Sequence, residues 1–204
     1  MIQTQDLSVG YIRDRPLLKN LNFQFDSKIY GILGESGIGK TTLLRTIAGL
    51  EKPLSGKVIS SGGPIYMMHQ TYTCFDWLTV IDNVLIASKV KHQKITGEIQ
   101  DRAIKALEDV GLKDYLNYLP AELSGGMRQR LALARTMFVD PAVILMDEPL
   151  SALDEDTRRK MQDLILLRHK ETKNTILMVT HSSKEAERLC DEIIKIRREE
   201  YGIT

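Results

Sequence analysis

The chain has 204 residues and a formal net charge of +1, from 28 basic and 27 acidic side chains. With 43% hydrophobic and 27% charged residues, it excludes collagen, coiled coil and disorder, and its length suits roughly one domain. The charge balance argues against bulk electrostatic nucleic-acid binding while leaving room for a local basic site, and two cysteines, Cys74 and Cys190, are too few for a disulfide framework.

Reduced thiols in a cytosolic compartment are the simpler reading. No apolar stretch approaches the roughly 18 residues of a membrane span. Met1–Asp6 shows no basic cluster leading into an apolar segment, so no signal peptide is expected. Any membrane service would run through a partner.

Taken in chain order, residues 21–25 alternate apolar and polar, as a half-buried strand does. Residues 29–33 form a short apolar run that Gly34 ends, which predicts a buried strand. Residues 40–50 predict a helix with Leu43, Leu44, Ile47 and Leu50 on one face. Pro53, Ser55 and Gly56 break it. Short strands are expected at 57–60 and 65–68, around a Ser-Gly-Gly-Pro turn. From about residue 75 to 139 the pattern is mostly helical, with Ile99, Ile104, Leu107 and Val110 as one apolar face. A strand is expected at 143–146, a helix at 156–169 and a strand at 175–179. A helix at 183–190 and a strand at 191–196 follow. Strands alternating with helices at both ends predict a parallel, helix-covered sheet with a helical insertion.

Gly34-Glu35-Ser36-Gly37-Ile38-Gly39-Lys40-Thr41 fits G-x-x-x-x-G-K-[ST] between a buried strand and a helix. Glycines let the backbone turn tightly and aim its N–H groups inward. The helix start adds the positive end of a dipole. Lys40 would reach the β- and γ-phosphates, and Thr41 would hold Mg²⁺. This loop alone fits a small-molecule kinase, a GTPase, a helicase or a transport ATPase. The apolar strand 143–146 ends in Asp147, placed to meet Mg²⁺, and Glu148 beside it could polarise an attacking water.

Leu123-Ser124-Gly125-Gly126-Met127-Arg128-Gln129-Arg130 precedes a strongly helical stretch. Ser124 is a natural N-cap, and the glycines expose backbone N–H groups. A second anion-binding terminus in a chain with one such carboxylate strand predicts a head-to-tail dimer. There, Ser124 of one copy would face the Lys40 loop of the other. Arg128 and Arg130 read as solvated helix charges without a catalytic role.

These motifs resemble the nucleotide-binding subunits of ATP-binding cassette (ABC) transporters. Asp147 follows the Leu-Ser-Gly-Gly segment by 21 residues, counted from Gly126. The resemblance covers nearly the whole chain. It implies a single α/β domain over 1–204, with a P-loop NTPase core (1–74 and 141–204). That core would be a RecA-like, mostly parallel sheet with a small antiparallel part. The inserted α-helical subdomain would span 75–140. Gln70 looks like the glutamine near Mg²⁺ and the coupling surface, and Ser151–Asp154 like the loop crossing the dimer interface. His181 looks like the switch histidine at the γ-phosphate, and Tyr11 like the adenine-stacking aromatic.

The resemblance therefore implies ATP and Mg²⁺ as ligands. Tyr11, Gly34, Glu35, Lys40, the 36–42 backbone (Thr42 included), Ser124, Gly125, Gly126 and Asp154 would bind the nucleotide. Thr41, Gln70 and Asp147 would serve the metal. Glu148 would be the base, assisted by His181, Lys40 and Gln70.

Residues 77–84 and 127–130 are similar to the nitrate/sulfonate/taurine type of importer. That implies a peripheral subunit on the cytoplasmic face of the membrane, docked to a permease through a 70–84 groove. An extracytoplasmic solute-binding protein would complete the complex, and no nucleic acid. A soluble non-transport ABC ATPase or an exporter subunit is the alternative. Four features depart from the pattern. Thr-Tyr-Thr-Cys-Phe fills 71–75, Glu35 and Ile38 stand where proline and serine are common, and the Gly56–Gln70 segment is short. The chain also ends soon after its last strand, which leaves no room for a C-terminal regulatory domain.

Overall fold

The computed structural model describes residues 1–12, 14–61, 63–69 and 74–197. The chain divides into two compact units. One holds Met1–Met67, Pro141–Glu148 and 169–204; the other holds Met68–Asp140 and Pro149–Arg168.

The first unit carries both sheets. Strand β1 (Ile2–Val9) is flanked by β2 (Leu18–Leu21), β3 (Gln24–Phe25) and β5 (Ser55–Ser60), all antiparallel to it. The second sheet has the order β6-β7-β8-β4-β9, built from β4 (Ile29–Gly34), β6 (Ile65–Met68), β7 (Val143–Asp147), β8 (Thr175–Val179) and β9 (Glu192–Ile196). The β7–β8, β8–β4 and β4–β9 pairs are parallel. β7 and β8 are buried along their whole length, as continuous apolar strands of a covered parallel sheet must be. Helix α1 (Lys40–Ile47) buries Leu43, Leu44 and Ile47 against β1, β4, β7 and β8.

Four expectations change. β1 has no counterpart in the sequence reading, although Ile2 and Thr4 alternate inward and Leu7 and Val9 are fully buried. The predicted strand 21–25 is broken into β2 and β3, because the Phe23 N–H bonds the buried Thr4 hydroxyl at 2.8 Å. Leu50 is 55% exposed, since α1 ends early and Leu50 N–H turns back to the Arg45 carbonyl at 2.9 Å. The two short strands expected beside the Ser-Gly-Gly-Pro turn also separate, β5 joining one sheet and β6 the other.

The second unit packs α2 (Val80–Val90), α3 (Gly97–Asp109) and α4 (Gly125–Val139) against one another. Ala103 and Leu107 of α3, with Val110 just past its end, form the fully buried face, while Ile99 and Ile104 are only half-buried. Pro149–Arg168, read from sequence as core, clusters with this unit. A hydrogen bond from Ala152 N–H to the Gln129 side chain in α4 ties it there.

Helix α6 (Ser183–Leu189) covers β4, and Cys190 at its end lies against Gly31. Burial, reinforced by the Glu185 and Asp191 carboxylates, pushes the Cys190 thiol from 9.0 up to about 12. Folding thus retains a proton that the unfolded chain releases. Stability from this thiol is complete below the unfolded value near 9 and is lost as pH rises toward 12. The melting temperature of Cys190→Ala is therefore expected to fall less steeply than the parent's above about pH 9. Parallel melting curves across that range would contradict the assignment.

Candidate functional site

The phosphate loop runs from the end of β4 into α1. Ile38 is buried and anchors the loop, whereas Glu35, Ser36 and Gly37 are exposed. Gly39, at φ 111°, turns the chain into α1, whose first turn carries no acidic side chain to oppose an anion. Lys40 is buried, and its ammonium donates to the Gly34 carbonyl at 2.7 Å and the Glu35 carbonyl at 2.8 Å. Burial lowers its pKa, while the nearby Glu148 and Asp147 carboxylates pull the other way. Thr41 sits in the first turn of α1. The buried Thr42 donates its hydroxyl to the Tyr11 hydroxyl at 3.2 Å, which holds the exposed Tyr11 ring beside this helix start.

Asp147 is the last residue of β7 and is 2% exposed. Glu148 then turns with φ 50°, a left-handed conformation that costs a non-glycine residue roughly 1–2 kcal/mol. Its N–H donates to the Val179 carbonyl at 2.9 Å, so the end of β8 holds the turn. His181 follows β8 and places Nδ1 3.6 Å from Oε1 of Glu148. The capping duty at α6 falls to Ser182, whose hydroxyl accepts the Glu185 N–H at 3.2 Å. The His181 side chain is 70% exposed and that of Glu148 22%. The first unit thus gathers Tyr11, the loop 34–42, Asp147, Glu148 and His181.

The second unit carries the other terminus. Ser124 is the N-cap of α4 and accepts the Met127 N–H at 3.3 Å. A Cβ on Gly125 would meet nothing within 4 Å, whereas one on Gly126 would lie 3.3 Å from the Ala152 carbonyl oxygen. Gly126 is therefore needed for close approach of the 150–154 loop, and Gly125 leaves the helix start open. Asp154 accepts the Thr157 N–H at 2.9 Å and so caps α5 (Glu155–Thr172). That backbone donor holds its carboxyl below the usual range. Gln70, with residues 71–73, lies outside the described residues.

Sequence reasoning missed four positioning side chains. Gln129 is fully buried, and its Oε1 accepts the Ala152 N–H at 2.9 Å. Its signal was a lone amide three and four residues before Ala132 and Leu133, on the buried face of α4. Arg158 donates to the Leu150 and Leu153 carbonyls and closes the same loop. Asn83 is fully buried and hydrogen-bonded four times to Phe75, Leu78 and Thr79. Arg130, read as a solvated charge, donates to the Val110 carbonyl at 2.6 Å and the Gly111 carbonyl at 3.2 Å, closing α3.

The donor set fits a hard cation held jointly with a triphosphate. Among the described residues no group of three or more His, Cys, Asp or Glu could hold a metal by itself. Mg²⁺ is commonly bound by one or two carboxylates together with substrate phosphates and water. Asp147 and the Thr41 hydroxyl would supply oxygen ligands of that kind, and the open α1 terminus with the buried Lys40 would supply the phosphate cradle.

A phosphate loop, a strand-end carboxylate pair and a nearby imidazole define a nucleotide site of the phosphoryl-transfer class. A family profile described as ABC transporter matches residues 18–151. The chain is 39% identical over 197 residues to the aliphatic sulfonates import ATP-binding protein SsuB of Pseudomonas putida, covering 93% of this chain and 70% of that protein. It is 42% identical over 177 residues to the taurine import ATP-binding protein TauB of Ruegeria pomeroyi, covering 83% of this chain and 66% of that protein. A dimeric ATP-binding cassette in a post-hydrolysis state, bound to ADP and Pi, superposes with a TM-score of 0.87 at 28% identity over 97% of this chain and 94% of that one. The chain belongs to the ABC transporter family.

Proposed function

We propose that this chain is the ATP-hydrolysing subunit of a membrane importer for a small solute of the sulfonate or taurine kind. The observation that carries the reading is the convergence of Lys40, Asp147, Glu148 and His181 on one loop-and-strand-end site. The reaction is ATP plus water to ADP plus phosphate. Lys40 and the loop N–H groups bind the β- and γ-phosphates, and the Tyr11 ring stacks on the adenine. Thr41 and Asp147, with Gln70 as the resemblance implies, would hold Mg²⁺, which would neutralise charge on the phosphate oxygens. Glu148 takes the proton of the attacking water, and His181 steadies the γ-phosphate. Most of the rate gain is positioning and electrostatics.

Two copies join head to tail. Ser124, Gly125 and Gly126 of each approach the γ-phosphate held by the other, and Asp154 lies at the interface. Among the described residues no helix is long and apolar enough to cross a membrane. The subunit attaches at the cytoplasmic face through a permease seated on the 70–84 segment, with a solute-binding protein on the far side. The importer-type relatives and the dimeric cassette support this assembly.

Phosphate release by the purified chain tests the reading. Hydrolysis is expected to need Mg²⁺, to stop with EDTA, and to fall at least about a hundredfold in Lys40→Ala. Turnover that survives both treatments would refute it.

A further inference from the structure

Residues 75–83 form an aromatic platform in the helical unit. The Asn83 amide donates to the carbonyls of Phe75, Leu78 and Thr79 at 3.1, 2.9 and 3.0 Å. Its oxygen accepts the Phe75 N–H at 2.8 Å. One buried side chain therefore fastens the whole loop to α2. The loop holds Trp77 outward, 75% exposed, with its ring 5.5 Å from that of Phe75 at 60°. The guanidinium of Arg135 in α4 lies 5.0 Å from the centroid of the Phe75 ring.

The same helix begins at Ser124 and carries Gln129, bonded to the 150–154 loop. Eleven residues of helix make a rod of about 16 Å from Ser124 to Arg135. A short helix is stiff compared with the loops at its ends, so a displacement of its first turn is carried to Arg135. We propose that Arg135 is a positioning residue that couples the nucleotide-facing end of α4 to Trp77 through the Phe75 ring. The idea rests on the dimeric ATP-sandwich reading, because the partner's nucleotide is what engages Ser124.

Trp77 is the sole tryptophan of the chain, so its emission reads the platform directly. In Glu148→Gln, adding ATP and Mg²⁺ is expected to change Trp77 emission together with dimer formation on a sizing column. With Arg135→Ala added, the dimer should form at the same nucleotide concentration while the emission change is lost. Arg135→Lys, which keeps a cation over the ring, should restore much of it. Phe75→Leu provides a second route that leaves α4 untouched, and it should silence Trp77 in the same way even if Arg135→Ala fails to fold.

A dimer with an unchanged emission response in Arg135→Ala or Phe75→Leu overturns the coupling. So does a dimer with a silent Trp77 in Glu148→Gln alone. Absence of any ATP-dependent dimer in Glu148→Gln overturns the sandwich reading, and the coupling with it.

Discussion

Glu148→Gln is expected to slow ATP hydrolysis by about 10²–10⁴-fold and to accumulate a dimer that forms only with ATP and Mg²⁺. The substitution keeps the size of the side chain and the N–H that bonds the Val179 carbonyl. It leaves the left-handed turn with the same kind of residue, because glutamine meets the same steric demand at φ 50° as glutamate. What it removes is a group able to accept a proton. Lys40, Asp147 and the loop remain, so nucleotide binding survives while the chemical step does not. His181, 3.6 Å away, keeps its place but cannot replace a carboxylate positioned for the water. Phosphate release and a sizing column, each with and without ATP–Mg²⁺, decide the matter. Unchanged turnover with a persistent monomer would remove Glu148 from the mechanism.

Gly56→Ala is expected to destabilise the fold by about 3–5 kcal/mol, combining backbone strain with overpacking. β5 pairs with β1 in antiparallel register, Gln5 opposite Lys57 and Ser8 opposite Ser55, with an irregularity between them. At that irregularity Gly56 has φ 74° and Asp6 has φ 45°. A Cβ on Gly56 would lie 2.3 Å from the Asp6 carbonyl oxygen and 2.4 Å from that of Gln5. Neither atom can swing aside as a side chain does. Asp6 is pinned further by Asn22, which accepts its N–H at 2.9 Å and donates to its carboxylate at 3.0 Å. Relief would require opening the ladder at β1, the strand to which β2, β3 and β5 all pair. Urea denaturation of parent and variant measures the loss. A change below about 1 kcal/mol would be in the range of an ordinary surface substitution and would contradict this account.

The chemistry was legible in the sequence because its residues lie in contiguous motifs. The order Gly34 to Thr41, the apolar run ending at Asp147-Glu148, and Ser124-Gly125-Gly126 each specify a local geometry. Short-range sterics and hydrogen bonding determine such geometries. The parallel sheet was legible for the same reason: β4, β7 and β8 are continuous apolar runs, which only strands covered on both faces need. Positions whose partners are distant were not legible. β1 passed unnoticed because its meaning comes from pairing with residues up to 60. The break at Phe23 depends on the Thr4 hydroxyl. Arg130 and Gln129 look like ordinary helix polar residues until Val110 and Ala152 arrive beside them.

By itself, then, the sequence determined the phosphate loop, the carboxylate pair and the Ser124 cap, since each is written in neighbouring residues. Tertiary structure alone decided what orients them. It set the left-handed turn at Glu148, the approach of His181, the Gln129 tie to the 150–154 loop and the stacking of Arg135 on Phe75. Those are contacts between segments far apart in the chain, and only burial of a shared core brings such segments within hydrogen-bonding distance.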